Sequence, residues 1–263
     1  MTWRVFENRP TLIGHRGMGT GLAAGHRENT LGSFRAAAEA GLDWVELDVQ
    51  RTSDDALVVN HDAVLPDGRY IAEMTSGQAA RRGLVRLEDL LDDLPLTLGV
   101  VFDVKSGLHD ANRSAASTTA TLLAHFRERT IGARPALALS FDPAALRHMR
   151  EAAPDMALGL LTWKRFPIGH AVAAAAHLDL QVLAVHTSSL WRDPLAGAAT
   201  PSIETIVERV HASQRQLLAW CPNTREALDF AAADVDALVV DDVPRHVQAL
   251  SEFRSAQYSC APR

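Results

Sequence analysis

A single (β/α)8 TIM barrel is the fold this 263-residue chain predicts, on three observations. Eight short apolar runs alternate with Ala-rich segments of helical character, the order of a β/α protein. Most runs are continuously apolar, as parallel strands covered on both faces are. The polar residues that interrupt them fall at their C-terminal ends, where a barrel builds its site. A doubly wound open sheet can share this alternation, so the pattern alone leaves it as the competing architecture.

The strand candidates are TLIG (11–14), WVELDV (44–49), LGVVFDV (98–104), ALALSF (136–141), ALGLLTW (157–163), QVLAVHT (181–187), QLLAWC (216–221) and ALVVDD (237–242). Helical patterns lie between them over 30–41, 110–129, 142–153 and 201–213. Several begin at an Asp, Ser or Thr cap, and the first ends at Gly41, as helix boundaries should. Asn29 or Thr30 is the expected cap of the first helix. The apolar piece ALVVNHD (56–62) follows the second strand closely and should pair beside it or extend it. The Gly-containing 62–85 stretch after it reads as a short insertion forming a small lobe over the site. No linker or composition break divides the chain, so one domain is expected over 1–263, with the barrel at about 11–250 and tails at both ends.

Composition narrows the function classes. The chain is 47% hydrophobic and 22% charged, ordinary for a globular protein, and long enough for a full core. A formal charge of −6 with no basic block argues against a nucleic-acid binder. Cys221 and Cys260 are too few for a disulfide framework. Glu7 and Pro10 interrupt any signal-peptide core, and no apolar run approaches the ~20 residues of a membrane span. The expectation is a cytoplasmic enzyme without integral membrane association.

The strand ends carry the chemistry. His15 and Arg16 follow the first strand. Glu46 and Asp48, two apart in the second, point to one face. His61-Asp62 closes the next apolar run, and Asp103 and Lys105 end the third strand with the same two-residue spacing. Burying an unpaired carboxylate costs several kcal/mol, on the order of 2–7 even for neutral polar groups. Glu46, Asp48 and Asp103 aimed at one barrel mouth therefore call for a cation, and oxygen ligands without thiolates suit Mg²⁺ or Ca²⁺. An internal ion-pair cluster with Arg16 and Lys105 is the plainer reading, though it gives His15 and His61 no role. Those histidines supply an acid and a base near neutral pH. Arg16 and Lys105 fit phosphoryl oxygens as a fork and a point charge. Together they read as metal-assisted attack at phosphorus.

Gly19-Thr20-Gly21-Leu22-Ala23-Ala24 fits a dinucleotide fingerprint, with Asp48 as the acid about twenty residues on. That motif should leave the strand directly and open a helix. Here Gly19 lies five residues past the strand, and the reading leaves Glu46, His61, Asp103 and Lys105 idle.

His15-Arg16-Gly17, Glu28-Asn29-Thr30, Glu46-Leu47-Asp48 and His61-Asp62, in this order, resemble the signature of the glycerophosphodiester phosphodiesterase family. Later stretches match less closely: Asp103-Val104-Lys105, Ser140-Phe141-Asp142, Trp220 before Pro222-Asn223, and the final VDALVVDDVP. The resemblance implies a TIM-barrel phosphodiesterase that splits glycerophosphodiesters into an alcohol and glycerol 3-phosphate. It implies one divalent cation on Glu46, Asp48 and Asp103, with Arg16 and Lys105 on phosphoryl oxygens and Trp220 as an apolar wall. His15 would be the base and His61 the acid of a first step giving a cyclic phosphate, with roles reversed when water opens it. Three features depart from the family pattern: the long loop with Arg27 in place of proline and a second pair, His26-Arg27; Asp103 in place of glutamate; and Val240 in place of threonine. Asp103 also resembles the related sphingomyelinase D branch, so a lysophospholipase D or sphingomyelinase D-like activity is the alternative. A non-catalytic phosphate-binding barrel is a third. Trp163, His186 and Trp191 are expected to line the cleft or pack at its rim, Met149 and Met156 to fill the core, and Asp241-Asp242 to buttress the mouth or sit in solvent.

Overall fold

Eight parallel strands close on themselves in the computed structural model, which describes residues 4–126, 134–192, 194–195 and 199–259. Cys260 lies outside the described residues. The strands are β1 (Thr11–Gly14), β2 (Trp44–Arg51), β3 (Gly99–Val104), β4 (Ala136–Ser140), β5 (Ala157–Leu161), β6 (Val182–His186), β7 (Gln216–Trp220) and β8 (Ala237–Val240). Each pairs with its sequence neighbour, and β1 pairs with both β2 and β8, which excludes the open sheet. All eight candidate runs are strands.

Among the described residues, eight helices of seven or more residues flank the strands: α1 (Leu31–Glu39), α2 (Leu87–Asp93), α3 (Thr119–Phe126), α4 (Pro143–Ala152), α5 (Ile168–His177), α6 (Ile203–Ala212), α7 (Thr224–Ala232) and α8 (Val243–Ser259). Thr30 caps α1, its hydroxyl accepting from Ser33 N, and Gly41 follows the helix at φ +87°. The helix expected from residue 110 begins only at Thr119. Two 3₁₀ turns, Leu108–Asp110 and Ala115–Ser117, precede it. The Ser/Thr/Asn-rich lead has no apolar face to bury, and Asp110 is held by Arg51 at 3.2 Å. Residues 127–129 of that pattern lie outside the described residues.

The core has two layers. Between strands and helices lie Phe34, Leu47, Phe102, Met149, Met156 and Phe230 among many others. Inside the barrel, Ile13, Val101, Leu137, Val182, Leu218 and Val239 fill the bore. Phe6 plugs its N-terminal end, packing edge-on against Trp44 at 5.3 Å between ring centroids. Gln216 fixes the plug, accepting from Val5 N (2.7 Å) and Phe6 N (3.0 Å) and donating to Phe6 O (2.8 Å). Gly99 is required there, because a Cβ would meet the Trp44 ring at 2.4 Å.

The run after β2 pairs rather than extends: Leu57–Val59 lies antiparallel to Val49–Arg51, and Val85–Arg86 adds a further antiparallel piece. Between them Val58, Leu65, Ile71, Met74 and Ala79 form a separate small core, so the insertion is a lobe of its own.

Candidate active site

Strand register creates the acidic cluster. In the β2–β3 pairing Asp48 stands opposite Asp103, and neighbouring strands lie about 4.8 Å apart. Glu46 shares Asp48's face, and all three carboxylates are buried. Each offers an oxygen within 4.8 Å of the others. The closing seam adds the first histidine: Gly14 is opposite both Val45 and Val240, so the next residue, His15, arrives beside Glu46 and Asp241.

His15 Nδ1 lies 2.6 Å from Asp241 Oδ1, and its Nε2 lies 3.8 Å from Glu46 Oε2. Cys221 Sγ is 3.8 Å from the same Nδ1. Burial opposes a charged imidazole here, but Asp241, Cys221 and Glu46 outweigh it and hold His15 well above its ordinary value. Burial likewise opposes ionisation of Asp241, and the bond to His15 overrides it, keeping the carboxylate charged. Asp241 is therefore the buttress; Asp242 accepts from Arg245 N at the start of α8.

The turn after β1 is shaped by residues in the left-handed region: Arg16 (φ +51°), Gly17 (φ +99°) and Asn29 (φ +54°). Non-glycine residues rarely adopt it, and such positions gather at functional sites. The turn aims Arg16 N at Glu46 Oε2, 3.0 Å away. Arg16 Nε is 3.3 Å from Asp48 Oδ2, and its Nη1 donates to Glu28 at 3.0 and 3.1 Å. Asn29 Nδ2 donates to Asp48 Oδ2 at 2.8 Å. Glu28-Asn29-Thr30 thus does three things: it braces Arg16, orients Asp48 and caps α1. Only the last is legible from helix rules; the others needed the fold.

Lys105 Nζ sits 2.7 Å from Asp48 Oδ1 and also bonds Asp103. Ion pairs with Lys105 and Arg16 therefore form, as the plainer reading of the sequence expected. They leave two things unanswered. Asp103 Oδ1 is buried without a hydrogen-bond partner. Glu46 is pushed up to about 8, by burial and then by the charge of Asp48. Burial also raises Asp103, while at Asp48 burial is outweighed by Lys105 and Arg16, which hold it low. A hard dication among the three carboxylates answers both, so the residues fit one.

His15, Arg16, Glu46, Asp48, His61, Asp103, Lys105 and Trp220 all line one cavity of about 480 Å³. His61 is more open than His15 and is paired with Asp62 at 2.8 Å. Sequence reasoning foresaw Trp220 and Trp163 here but missed the rest of the apolar half of this cavity. Leu139, Phe141, Leu161 and Leu218 face it, with Phe141 stacked on Trp163 at 4.3 Å and edge-on to Trp220 at 6.3 Å. Alternation at the ends of β4, β5 and β7 was the available signal. Trp163 belongs to this wall, and Lys164 joins it. His186 packs behind Trp220 at 4.4 Å. Trp191 instead stacks on Phe230 and donates to Glu226. His26 and Arg27 do not line the cavity; they pair with Leu22–Ala23 in a short hairpin. The Gly19 loop holds no helix N-terminus: its first glycine lies against Asp241, where a Cβ would meet the carbonyl oxygen at 1.8 Å.

A parallel barrel that gathers buried carboxylates, two cationic side chains and two histidines at its C-terminal mouth is the architecture of a TIM-barrel enzyme with a charged active site. Residues 15–245 match the Glycerophosphoryl diester phosphodiesterase family, and the chain belongs to that family. A glycerophosphodiester phosphodiesterase of Caldanaerobacter subterraneus is 24% identical over 245 residues, covering 88% of this chain and 93% of that protein. A glycerophosphocholine phosphodiesterase of Schizosaccharomyces pombe is 47% identical over 74 residues, 27% of this chain and 6% of that protein. The chain thus spans a small part of that longer relative. An Oleispira antarctica phosphodiesterase structure in complex with sn-glycerol-3-phosphate superposes with a TM-score of 0.75 at 21% identity, covering 92% of this chain and 97% of that one. No helix among the described residues is long and apolar enough to cross a membrane.

Proposed function

We propose that the chain hydrolyses glycerophosphodiesters to an alcohol and glycerol 3-phosphate. The observation that carries this reading is the meeting of two histidines with different neighbours around one acidic triad. His15 is 3.8 Å from Glu46, and His61 lies close enough to Asp103 for its charge to act on it. The bound sn-glycerol-3-phosphate of the Oleispira structure and the name of the Caldanaerobacter relative support the substrate class.

Glu46, Asp48 and Asp103 would hold one divalent cation, Mg²⁺ or Ca²⁺, which when bound supplies positive charge to the phosphoryl oxygens. Arg16, braced by Glu28, presents its guanidinium to the same oxygens, and Lys105 takes a non-bridging one. His15 donates through Nδ1 to Asp241, so its neutral form carries the lone pair on Nε2, facing Glu46 and the cavity. That nitrogen removes the proton of the glycerol hydroxyl next to phosphorus. The freed oxygen bonds to phosphorus, and the bond to the leaving alcohol breaks as His61 gives that alcohol its proton. His15 now holds one proton more and His61 one less. Water then opens the cyclic phosphate, with His61 taking its proton and His15 returning one to the ring oxygen. Trp220, Phe141 and Trp163 give the leaving group an apolar wall.

That wall also favours a second reading, a lysophospholipase D-like activity on substrates with an acyl chain. Phosphorus NMR separates the two. Glycerophosphocholine, glycerophosphoethanolamine and lysophosphatidylcholine are incubated with protein and Mg²⁺, Ca²⁺ or EDTA. Metal-dependent loss of the first two diesters supports the main reading, and loss of lysophosphatidylcholine alone supports the second. No turnover with any of them would return weight to a barrel that binds phosphate without reacting.

A further inference from the structure

Beside the acidic triad lies a second group of ligating atoms of different chemistry. His15 Nδ1, Cys221 Sγ and a carboxylate oxygen of Asp241 all lie within 4.8 Å of one another. Nitrogen, sulfur and oxygen donors in one cluster suit a borderline-soft ion, where the all-oxygen triad suits a hard one. We propose that this cluster is an inhibitory zinc site, which captures the back of His15 and switches the imidazole to a form that cannot act as a base.

The spacing supports three-point ligation. With bond lengths of about 2.0 Å to nitrogen and about 2.3 Å to sulfur, tetrahedral ligands stand roughly 3.5 Å apart. Nδ1 and Sγ are already 3.8 Å apart. Nδ1 and Oδ1 of Asp241, at 2.6 Å, are at hydrogen-bond distance and would open by roughly 0.7 Å once the ion replaces the proton between them. All three residues are partly exposed, so an ion can enter and solvent can supply the fourth ligand. Cys221 stands at φ +57°, immediately after the wall residue Trp220 at the end of β7, and the described thiol is free.

Inhibition follows from where the proton goes. With Asp241 as partner, Nδ1 carries a hydrogen, and in the neutral ring Nε2 is the lone pair that faces the cavity. Zinc on Nδ1 expels that hydrogen, and the neutral ring then bears its single hydrogen on Nε2. The Cys221 thiol also gives its proton to solvent and binds as thiolate. Nothing is oxidised or reduced. Binding depends only on the cluster; the loss of turnover rests on the role given to His15 above.

Titration of the whole protein with Co²⁺, a zinc surrogate with visible absorption, tests binding without any activity measurement. One equivalent should produce thiolate-to-cobalt charge-transfer absorption, which zinc displaces. Cys221→Ser should abolish that absorption and weaken zinc binding at least about tenfold. Asp103→Asn should leave it in place, which separates the cluster from the triad. In turnover assays zinc should inhibit wild type in the presence of excess Mg²⁺ or Ca²⁺, with the same loss of affinity in Cys221→Ser. Absence of the thiolate band, or equal zinc affinity in Cys221→Ser, would overturn the site. Zinc bound at the cluster with full turnover retained would leave the site standing and overturn His15 as the base.

Discussion

His15 and Asp241 are separated by 226 residues and joined by a 2.6 Å hydrogen bond across the seam where the last strand meets the first. The carboxylate fixes which ring nitrogen carries the hydrogen and favours the imidazolium, as an orienting acid does beside a catalytic histidine. Asp241→Asn should therefore lower kcat/KM by about 10²–10³-fold. His15 would titrate lower, because the first of the groups that outweigh its burial would lose its charge. The acid limb of the pH profile should move to lower pH as the plateau falls. A pH–rate series on both proteins checks this, and an unshifted limb would detach Asp241 from the base.

Burial, and after it the charge of Asp48, pushes Glu46 up to about 8. A cation on the triad must displace the proton held there, so affinity should fall by about tenfold per pH unit below 8 and level off above it. Calorimetry at pH 7 in buffers of different ionisation enthalpy should register close to one proton released from Glu46. Affinity independent of pH between 6 and 8 would mean that no proton leaves Glu46 on binding, and would overturn its raised value, its ligation, or both.

Lys105 neutralises two buried acids, Asp48 and Asp103. Lys105→Met leaves them facing each other and should cost about 3–5 kcal/mol in the absence of metal. Mg²⁺ or Ca²⁺ should restore a large part of that stability but not turnover, if Lys105 holds a phosphoryl oxygen as proposed. Urea unfolding with metal and with EDTA reads the first half, and a phosphorus NMR assay the second.

Arg134 is buried and donates to four carbonyls: Pro95 O (2.6 Å), Leu98 O (3.0 Å), Leu91 O (2.9 Å) and Leu94 O (3.0 Å). It closes the C-terminus of α2 and the turn into β3. Arg134→Met should destabilise the fold by about 3 kcal/mol, from buried carbonyls that lose its donors, while kcat of the folded fraction stays within about twofold. Thermal unfolding and activity at low temperature separate the two effects.

Much of this was legible from residue order. All eight strands follow from apolar runs bounded by helix caps, and the triad follows from Glu46–Asp48 and Asp103 at strand ends. Strand alternation says which face a residue takes, but register decides its neighbours. Asp48 opposite Asp103 could thus be expected, whereas His15 against Asp241 and Cys221 needed the barrel to close. Glu28 and Asn29 were hidden for a related reason. Their targets, Arg16 and Asp48, lie on other elements, and local helix rules assign such residues to a cap. The 110–118 segment was misread because polar residues of fair helix propensity carry no information about whether a face is buried.

The β1–β8 seam also has a temporal side. A chain released before β8 would contain every carboxylate, both histidines, Arg16 and Lys105, yet His15 would have no Asp241 and the bore no eighth stave. During synthesis, the partner of His15 is therefore the last part of the site to be made. A chain that stalls short of Asp241 carries the triad and its cations without the group that orients His15, so the seam ties completion of the site to completion of the barrel.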